Sequence, residues 1–563
     1  MNEISRESRL RFNRENRDDS QAPRLVETRR GASVLYRERY LYSKYNPEEA
    51  VDRIVACTEI KNQTLIICTS PLLGYGLEKL SEKTPSDSFI LLTEGNPDLY
   101  EFSLDYISAL HLPEEKTEYI FLKKGNDILK WLESKGENFI LNFRRVVRLD
   151  FSGGSFFSQD KYSVAEKLLT QSINLSWKNK MTLIKFGRLY SKNIILNLSL
   201  LPEAKVFPEI TKPVIALGAG ESLENTAGFL RTARNDFFVA AVDAALIPLL
   251  DLNICPDCVV VLESQIYNNE SFIGIKKRIH DKEFEMPFFI CDLTSRYSLN
   301  REFTENIGFI LSDFSRCNFL EIIKALGIPV IPPLGSVGLA LLKIISLLNK
   351  NSQPIFFSGL DFSYKPGKTH SRGTHQIMND IHTAFRLQPP GSRKTFFSPE
   401  IFKVWGINKK RVLCDPSLNM YGEIMNTIFK DEFFYDLRTS GIPLDFPRTD
   451  IRNINSFISG IKTLHRKDTL FIRGNYNPKK ILNFLENELA YLENLCRELT
   501  GEKQTGSTVP SRDLKNHEYL FLHFPDILGA TDPGISFYKR LKIEAIYFSK
   551  IIRTSILILR KSF

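Results

Sequence analysis

Between residues 214 and 358 the chain repeats one pattern: a short apolar run, a polar or glycine-rich turn, then a helix-length segment. The runs fall at 214–217, 237–242, 258–262, 287–291, 308–311, 329–331 and 354–358. Apolar runs without alternation suit strands buried on both faces, and intervening helices suit parallel pairing. The pattern therefore predicts a doubly wound α/β domain, with helices covering both sides of its sheet. The first run is the most specific. Pro213 to Leu223, PVIALGAGESL, reads as a strand, a Gly-Ala-Gly turn and a helix start. Glycines let the backbone approach a ligand closely, and the free N–H groups of a helix start attract an anion. Gly218, Gly220 and Ser222 are thus the expected cradle of a nucleotide phosphate, with Ser222 also placed to cap the helix.

In a sheet of this kind ligands bind beyond the carboxyl ends of the strands. Asp243 follows the second run and Glu263 the third. Ser336 and Gly338 open a helix after the 329–331 run, and Asp361 closes the last one. The segment FFSGLDFSYKPGKTHSRGTH, 356–375, adds Tyr364, Lys365 and Lys368 as expected phosphate partners. It also adds His370 and His375. The whole chain has 8 histidines, and three of them, at 370, 375 and 382, fall within or just after this stretch. Imidazole titrates near neutral pH, which makes His370 or His375 the expected general base. Asp243, Glu263 and Asp361 are hard oxygen ligands that suit Mg²⁺ against a phosphate, although the chemistry does not require a metal.

At 563 residues the chain exceeds a single core. Residues 1–35 are charged and poor in large apolar side chains, which predicts a flexible arm. A Rossmann-like module is expected over 36–150, with strands near TLIICTS and SFILLTE, glycines at 74 and 76, and Glu94 at a strand end. A helical connector over 151–205 leads to the central domain, 206–450. The region 451–563 reads as helical, because Leu482, Leu485, Leu489, Leu492, Cys496 and Leu499 share one helix face. The last helix is strongly basic and suits either a membrane surface or a docked terminal helix with solvated lysines. A net charge of +9 is compatible with anionic substrates and does not demand nucleic acid. No apolar run reaches the roughly 18 residues of a membrane span, and the N-terminus lacks an apolar signal core, so a cytoplasmic protein is expected. Eight cysteines are scattered without a disulfide framework. Cys255 and Cys258 form a CPDC that lacks further zinc ligands nearby.

GAGESL, AAVDAALIPLL, CPDCVVVLES, GSVGLALL and GLDFSYKPGKTH together resemble the motility accessory factor (Maf) glycosyltransferases. These share the domain of unknown function 115 with MptE-like 6-hydroxymethylpterin diphosphokinases. SKYNPEEA, LLGYGLEKL and FGRLYSKNIILNL extend the resemblance over most of 40–450. GAGESL and SGLDFS are also similar to the donor motifs of bacterial sialyltransferases, a GT-A-type core. The resemblance implies transfer of a nonulosonic (sialic-acid-like) sugar from its CMP form to Ser or Thr of a protein such as flagellin. It implies that Gly218, Gly220 and Ser222 hold phosphate or ribose, while Asp243 and Glu263 position hydroxyls. Ser336 and Gly338 would bind the donor carboxylate, and Tyr364, Lys365 and Lys368 the leaving phosphate. Two positions depart from the patterns: Glu221 stands where the sialyltransferases have proline, and Glu263 where the Maf pattern has Asp. An acid in a phosphate-facing turn would repel the ligand. Two alternatives follow from the same motifs: a 6-hydroxymethylpterin diphosphokinase using ATP, and a non-catalytic sugar-nucleotide or flagellin-binding protein.

Overall fold

A computed structural model of the chain describes residues 22–313, 318–389, 399–430, 433–454, 458, 472, 474–499, 514–524 and 535–561. The chain divides into two compact units, Met1–Lys180 and Met181–Phe563. Most of the expected arm, 1–21, lies outside the described residues. The rest of that arm is ordered structure, because Arg24–Glu27 (β1) pairs antiparallel with Ala32–Tyr36 (β2), which continues into Arg39–Tyr40 (β3). Ser33, Val34 and Tyr36 are buried, so burial of their side chains outweighs the charged composition that suggested an arm.

The first unit also holds a parallel sheet of Thr64–Thr69 (β4), Phe89–Glu94 (β5), Thr117–Phe121 (β6) and Arg145–Asp150 (β7), in the order β6-β5-β4-β7. Every residue of β4 and β5 is buried, as expected for strands covered on both faces. Two of its helices start on asparagine caps: the Asn46 side chain accepts from Glu49 N ahead of Pro47–Cys57, and Asn96 accepts from Asp98 N and Leu99 N ahead of Pro97–Ser108.

The second unit contains an eight-stranded parallel sheet. Its strands are Val214–Leu217 (β8), Phe238–Val242 (β9), Cys258–Val261 (β10), Phe288–Asp292 (β11), Ile307–Ser312 (β12), Val330–Ile331 (β13), Ile355–Ser358 (β14) and, later in the chain, Phe434–Asp436 (β17). Their order is β13-β12-β11-β10-β9-β8-β14-β17. From β8 to β13 the chain steps outward in one direction, then β14 returns to the other side of β8. That reversal is a topological switch point, where an open α/β sheet leaves a crevice at its carboxyl edge. Between β14 and β17 lie an antiparallel hairpin, Phe402–Trp405 (β15) with Arg411–Cys414 (β16), and the helix Pro416–Ile428.

The 40-residue helix Gln159–Leu198 belongs to the first unit over its early turns and to the second over its last. The expected helical domain over 451–563 does not have a core of its own. Leu485 and Leu492 from helix Pro478–Glu498, with Leu541 and Phe548 from helix Ile535–Lys561, join one apolar cluster with Val259 and Phe289 of the sheet. Each fully buried Leu or Phe contributes about 1.5–3 kcal/mol, so these terminal helices complete the central core. The CPDC pair is structural in its surroundings: Cys258 is buried in β10, and burial pushes the Cys255 thiol up to about 11. Among the described residues no helix is long and apolar enough to cross a membrane.

Candidate functional site

The switch point holds a cavity of about 620 Å³. Gly218, Gly220, Asp243, Glu263 and Asp361 line it from the ends of β8, β9, β10 and β14. Ser336, Gly338, His370 and His375 line it from the helix and loop segments above. The sheet edge thus brings together nine of the expected residues on one surface.

The two glycine turns meet there. Gly218 N donates to Ser358 O and Gly220 N donates to Gly359 O, each at 2.8 Å. A Cβ on Gly218 would stand 2.3 Å from Gly359 O. Gly218 is therefore glycine because β8 and β14 leave no room between their backbones. Its neighbour in space, Gly359, also has a left-handed φ of 71°.

This packing changes the expected phosphate cradle. Ser222 is fully buried and its side chain does not cap helix Leu223–Ala233. Instead, its backbone N–H donates to Asp361 Oδ2 at 2.9 Å, its hydroxyl donates to Asp361 Oδ1, and Gly359 N donates to Ser222 Oγ at 2.8 Å. The anion position at this helix start is already filled by the chain's own carboxylate. Ser222 is a structural link between β8 and β14, and the turn offers no free cradle for a ligand phosphate.

The expected cations are also elsewhere. Lys365 Nζ lies 2.7 Å from Glu221 Oε1, while Lys368 Nζ lies 3.4 Å from the same oxygen and 3.0 Å from Glu224. Tyr364 is 8% exposed, its backbone pairs with Leu413, and it does not line the cavity. Opposite charges hold this strip together, so Tyr364, Lys365 and Lys368 are corrected from ligand partners to framework. The same contacts turn Glu221 away from the cavity, with Ser440 Oγ donating to its second oxygen at 3.1 Å. The repulsion expected from an acid at 221 does not arise.

Among the described residues no Lys or Arg lines the cavity. Positive potential comes from helix starts instead. Helices Asp243–Asp251, Val337–Leu348, His375–His382 and Pro416–Ile428 all present first-turn residues to it. Asp415 caps the last of these through Leu418 N at 2.9 Å, whereas Ser336 and Thr374 make no side-chain cap bond. The N–H groups of the first turn have no intrahelical partner, so those two helix starts are suited to an anion. Gln376 Oε1 is buried there without a hydrogen-bond partner, which leaves an acceptor for a ligand donor.

Burial pushes Asp243 and Asp361 each up to about 6; the charge of Glu263 adds to the rise at Asp243. His370 and His375 are both lowered by burial, His370 further by the charge of His375. Both imidazoles are therefore neutral at neutral pH and able to take a proton. His370 Nδ1 lies 3.1 Å from Thr369 Oγ1, and His375 Nδ1 lies 2.8 Å from Ser271 Oγ. Among the described residues no group of three or more His, Cys, Asp or Glu side chains is placed to hold a metal ion.

Residues 191–367 match the 6-hydroxymethylpterin diphosphokinase MptE-like family. This MptE-like segment runs from the last turns of the long helix through β14, and so contains the glycine turns and Asp361. The resemblance carried by GAGESL and GLDFSYKPGKTH holds. The chain is 28% identical to an uncharacterised protein of Treponema pallidum (strain Nichols) over 562 residues, covering 94% of this chain and 95% of that protein. The fold is similar to that of the Maf glycosyltransferase from Magnetospirillum magneticum AMB-1, with a TM-score of 0.52 and 12% identity, covering 98% of this chain and 92% of that one.

Several cavity residues escaped sequence reasoning. Tyr267, Asn268 and Ser271 come from the 3₁₀ turn Ile266–Phe272, and Asp415, Ser417 and Tyr421 from the start of helix Pro416–Ile428. Asp-Pro-Ser at 415–417 is a cap followed by proline at the first helical position, a signal that could have marked that helix start.

Proposed function

We propose that the cavity transfers a glycosyl group from a nucleotide donor to a hydroxyl. The donor in this reading is a CMP-linked nonulosonic acid, and the acceptor is Ser or Thr of a protein such as flagellin, in the cytoplasm. One observation carries the proposal: two neutral imidazoles and a set of buried acids share the switch-point cavity of a fold also seen in a glycosyltransferase.

The first-turn N–H groups at Val337 and Gly338 would receive the donor's phosphate or carboxylate, with the helix dipole supplying the charge complement that side chains do not. Asp243, Glu263 and Asp415 would accept hydroxyl donors of ribose or sugar. His370 would take the acceptor's proton as the new carbon–oxygen bond forms. The bond from the anomeric carbon to phosphate breaks in the same step, and CMP leaves with the electron pair. Exposed apolar side chains support a polypeptide acceptor. Tyr267, on the cavity wall, is 68% exposed, and the helix that begins at His375 exposes Met378 and Ile381.

Release of CMP from a CMP-nonulosonic acid, with and without flagellin, tests the reading. H370A is expected to lower kcat by about 10²–10⁴ while donor affinity is retained; unchanged turnover would remove His370 from the chemistry. A thermal-shift series over CMP, CMP-sialic acids, UDP-sugars and ATP tests the donor. A response to ATP alone would favour the diphosphokinase reading, and binding of the CMP-sugar without CMP release would favour the non-catalytic one.

A further inference from the structure

The C-terminal helix Ile535–Lys561 has two faces that do different things. Leu541, Ala545, Phe548, Ile552 and Leu559 are buried in the central core. On the opposite face Ile543, Ile546 and Leu557 are 60%, 44% and 60% exposed, and they alternate with exposed Lys539, Lys550 and Lys561. At 3.6 residues per turn these six positions fall within roughly 60° of arc, and they span about 33 Å along the axis. Ile535 is 70% exposed and lies on the same stripe. Arg553 and Arg560 flank it, each tied to a carboxylate of helix Pro478–Glu498, Glu493 at 2.8 Å and Glu486 at 2.6 Å.

The helix's single acid is not on this face. Glu544 is 7% exposed and pairs with Arg188 at 2.8 Å on the inner side. Scattered exposed apolar residues need no explanation in a soluble protein. A continuous stripe of bulky aliphatic residues interleaved with lysines, and free of acids, is different. It has the chemistry of a helix lying in a membrane interface, with aliphatic tips among acyl chains and ammonium groups against anionic headgroups.

We propose that this outer face binds the surface of an anionic lipid bilayer while the inner face stays docked in the core. The charge complementarity argues for lipid over an uncharged partner, and the three aliphatic tips argue against a purely electrostatic contact. The proposal is independent of the reading of the switch-point cavity.

Sedimentation of the full chain with phosphatidylcholine vesicles, with and without phosphatidylglycerol, tests it. Binding is expected only with phosphatidylglycerol present, and it should weaken as salt rises. K539Q/K550Q should lower the partition coefficient by about tenfold or more, and I543S/I546S/L557S should also lower it. Both sets lie on the exposed face, so thermal unfolding and CMP release in vesicle-free solution should match the unsubstituted protein. Equal binding to neutral vesicles, no binding to either, or binding indifferent to both sets would overturn the proposal. A change of oligomeric state in the serine variant, with vesicle binding unaltered, would assign the stripe to a second copy of the chain and overturn it equally.

Discussion

The two parallel sheets of this chain are built alike, and they treat their switch points in opposite ways. In the first unit the order β6-β5-β4-β7 puts the reversal between β4 and β7; in the second it lies between β8 and β14. The first is filled from within. Thr69 Oγ1 donates to Asp150 Oδ1 and also meets Ser155 Oγ, each at 2.6 Å, and Ser152 Oγ donates to Ser70 O at 2.8 Å. Glu94, the acid at the end of β5, is fully buried and accepts from Gly95 N, Asn96 N and Tyr162 OH. The second switch point is pinched only at its base, where Gly218 meets Gly359, and opens above into the 620 Å³ cavity. The same topology thus makes a site in one unit and a packed support in the other. What decides is whether the segment after the last strand folds over the strand ends, as Gly153–Ser158 does.

The largest effects are expected where that packing is tightest. In Gly218→Ala the new Cβ meets a backbone carbonyl of the neighbouring chain segment, which cannot move without disturbing strand pairing. A loss of about 3 kcal/mol is expected in urea unfolding, together with loss of the thermal-shift response to donor. In Gly154→Ala the Cβ would stand 2.1 Å from Ser70 Oγ, a side-chain atom that can turn aside. Its expected cost is about 1 kcal/mol, with the donor response intact. If Gly154→Ala abolished the donor response, the first unit could not be the packed support described above.

Next in size is a pair of buried acids. Burial raises Asp243 from the usual 3.8 to about 6, so the folded chain holds this proton more tightly than the unfolded one. Stability attached to Asp243 is therefore greatest at low pH, falls as pH rises between about 4 and 6, and stays low above that. Asp243→Asn removes the penalty. It should raise stability at pH 7 by on the order of 2 kcal/mol, give no gain below about pH 4, and weaken donor binding. Glu94→Gln, in the filled switch point, should leave donor binding unchanged. An Asp243→Asn protein that is less stable at pH 7 would show that Asp243 is packed as Glu94 is.

The seven runs between 214 and 358 were legible because parallel strands buried on both faces need uninterrupted apolar sequence, and all seven are strands of one sheet. Nine of the cavity-lining positions were legible for a related reason: in this architecture strand ends and helix starts share one edge. Which neighbour each side chain would choose was not legible. Ser222 and Asp361 are 139 residues apart and satisfy one another. Glu221 and Lys365 are 144 apart and neutralise one another. Read locally, Ser222 is a cap and Lys365 a free cation; only the return of β14 to β8 brings in the partners that claim them. β17 was missed because its three residues, Phe434–Asp436, are too few to show a period.

The smallest expected effect makes the sharpest contrast with Asp243. Burial alone would raise Glu221, but Lys365, Lys368 and Ser440 outweigh it and hold the carboxyl below its usual value. Its sign is thus the reverse of that at Asp243: the ion pairs stabilise above the ordinary carboxylate range, and the contribution is lost as pH falls through the lowered value. Because the group is partly exposed and screened, Glu221→Gln should cost only about 0–1 kcal/mol at pH 7 and nothing under acid conditions. Donor affinity should stay within about twofold, since the charge points away from the cavity. A clear gain in donor affinity in Glu221→Gln would mean that the acid faces the ligand after all. The lysines at 365 and 368 would then be free to meet a phosphate, and the helix starts at Val337 and His375 would lose their place as the source of positive potential.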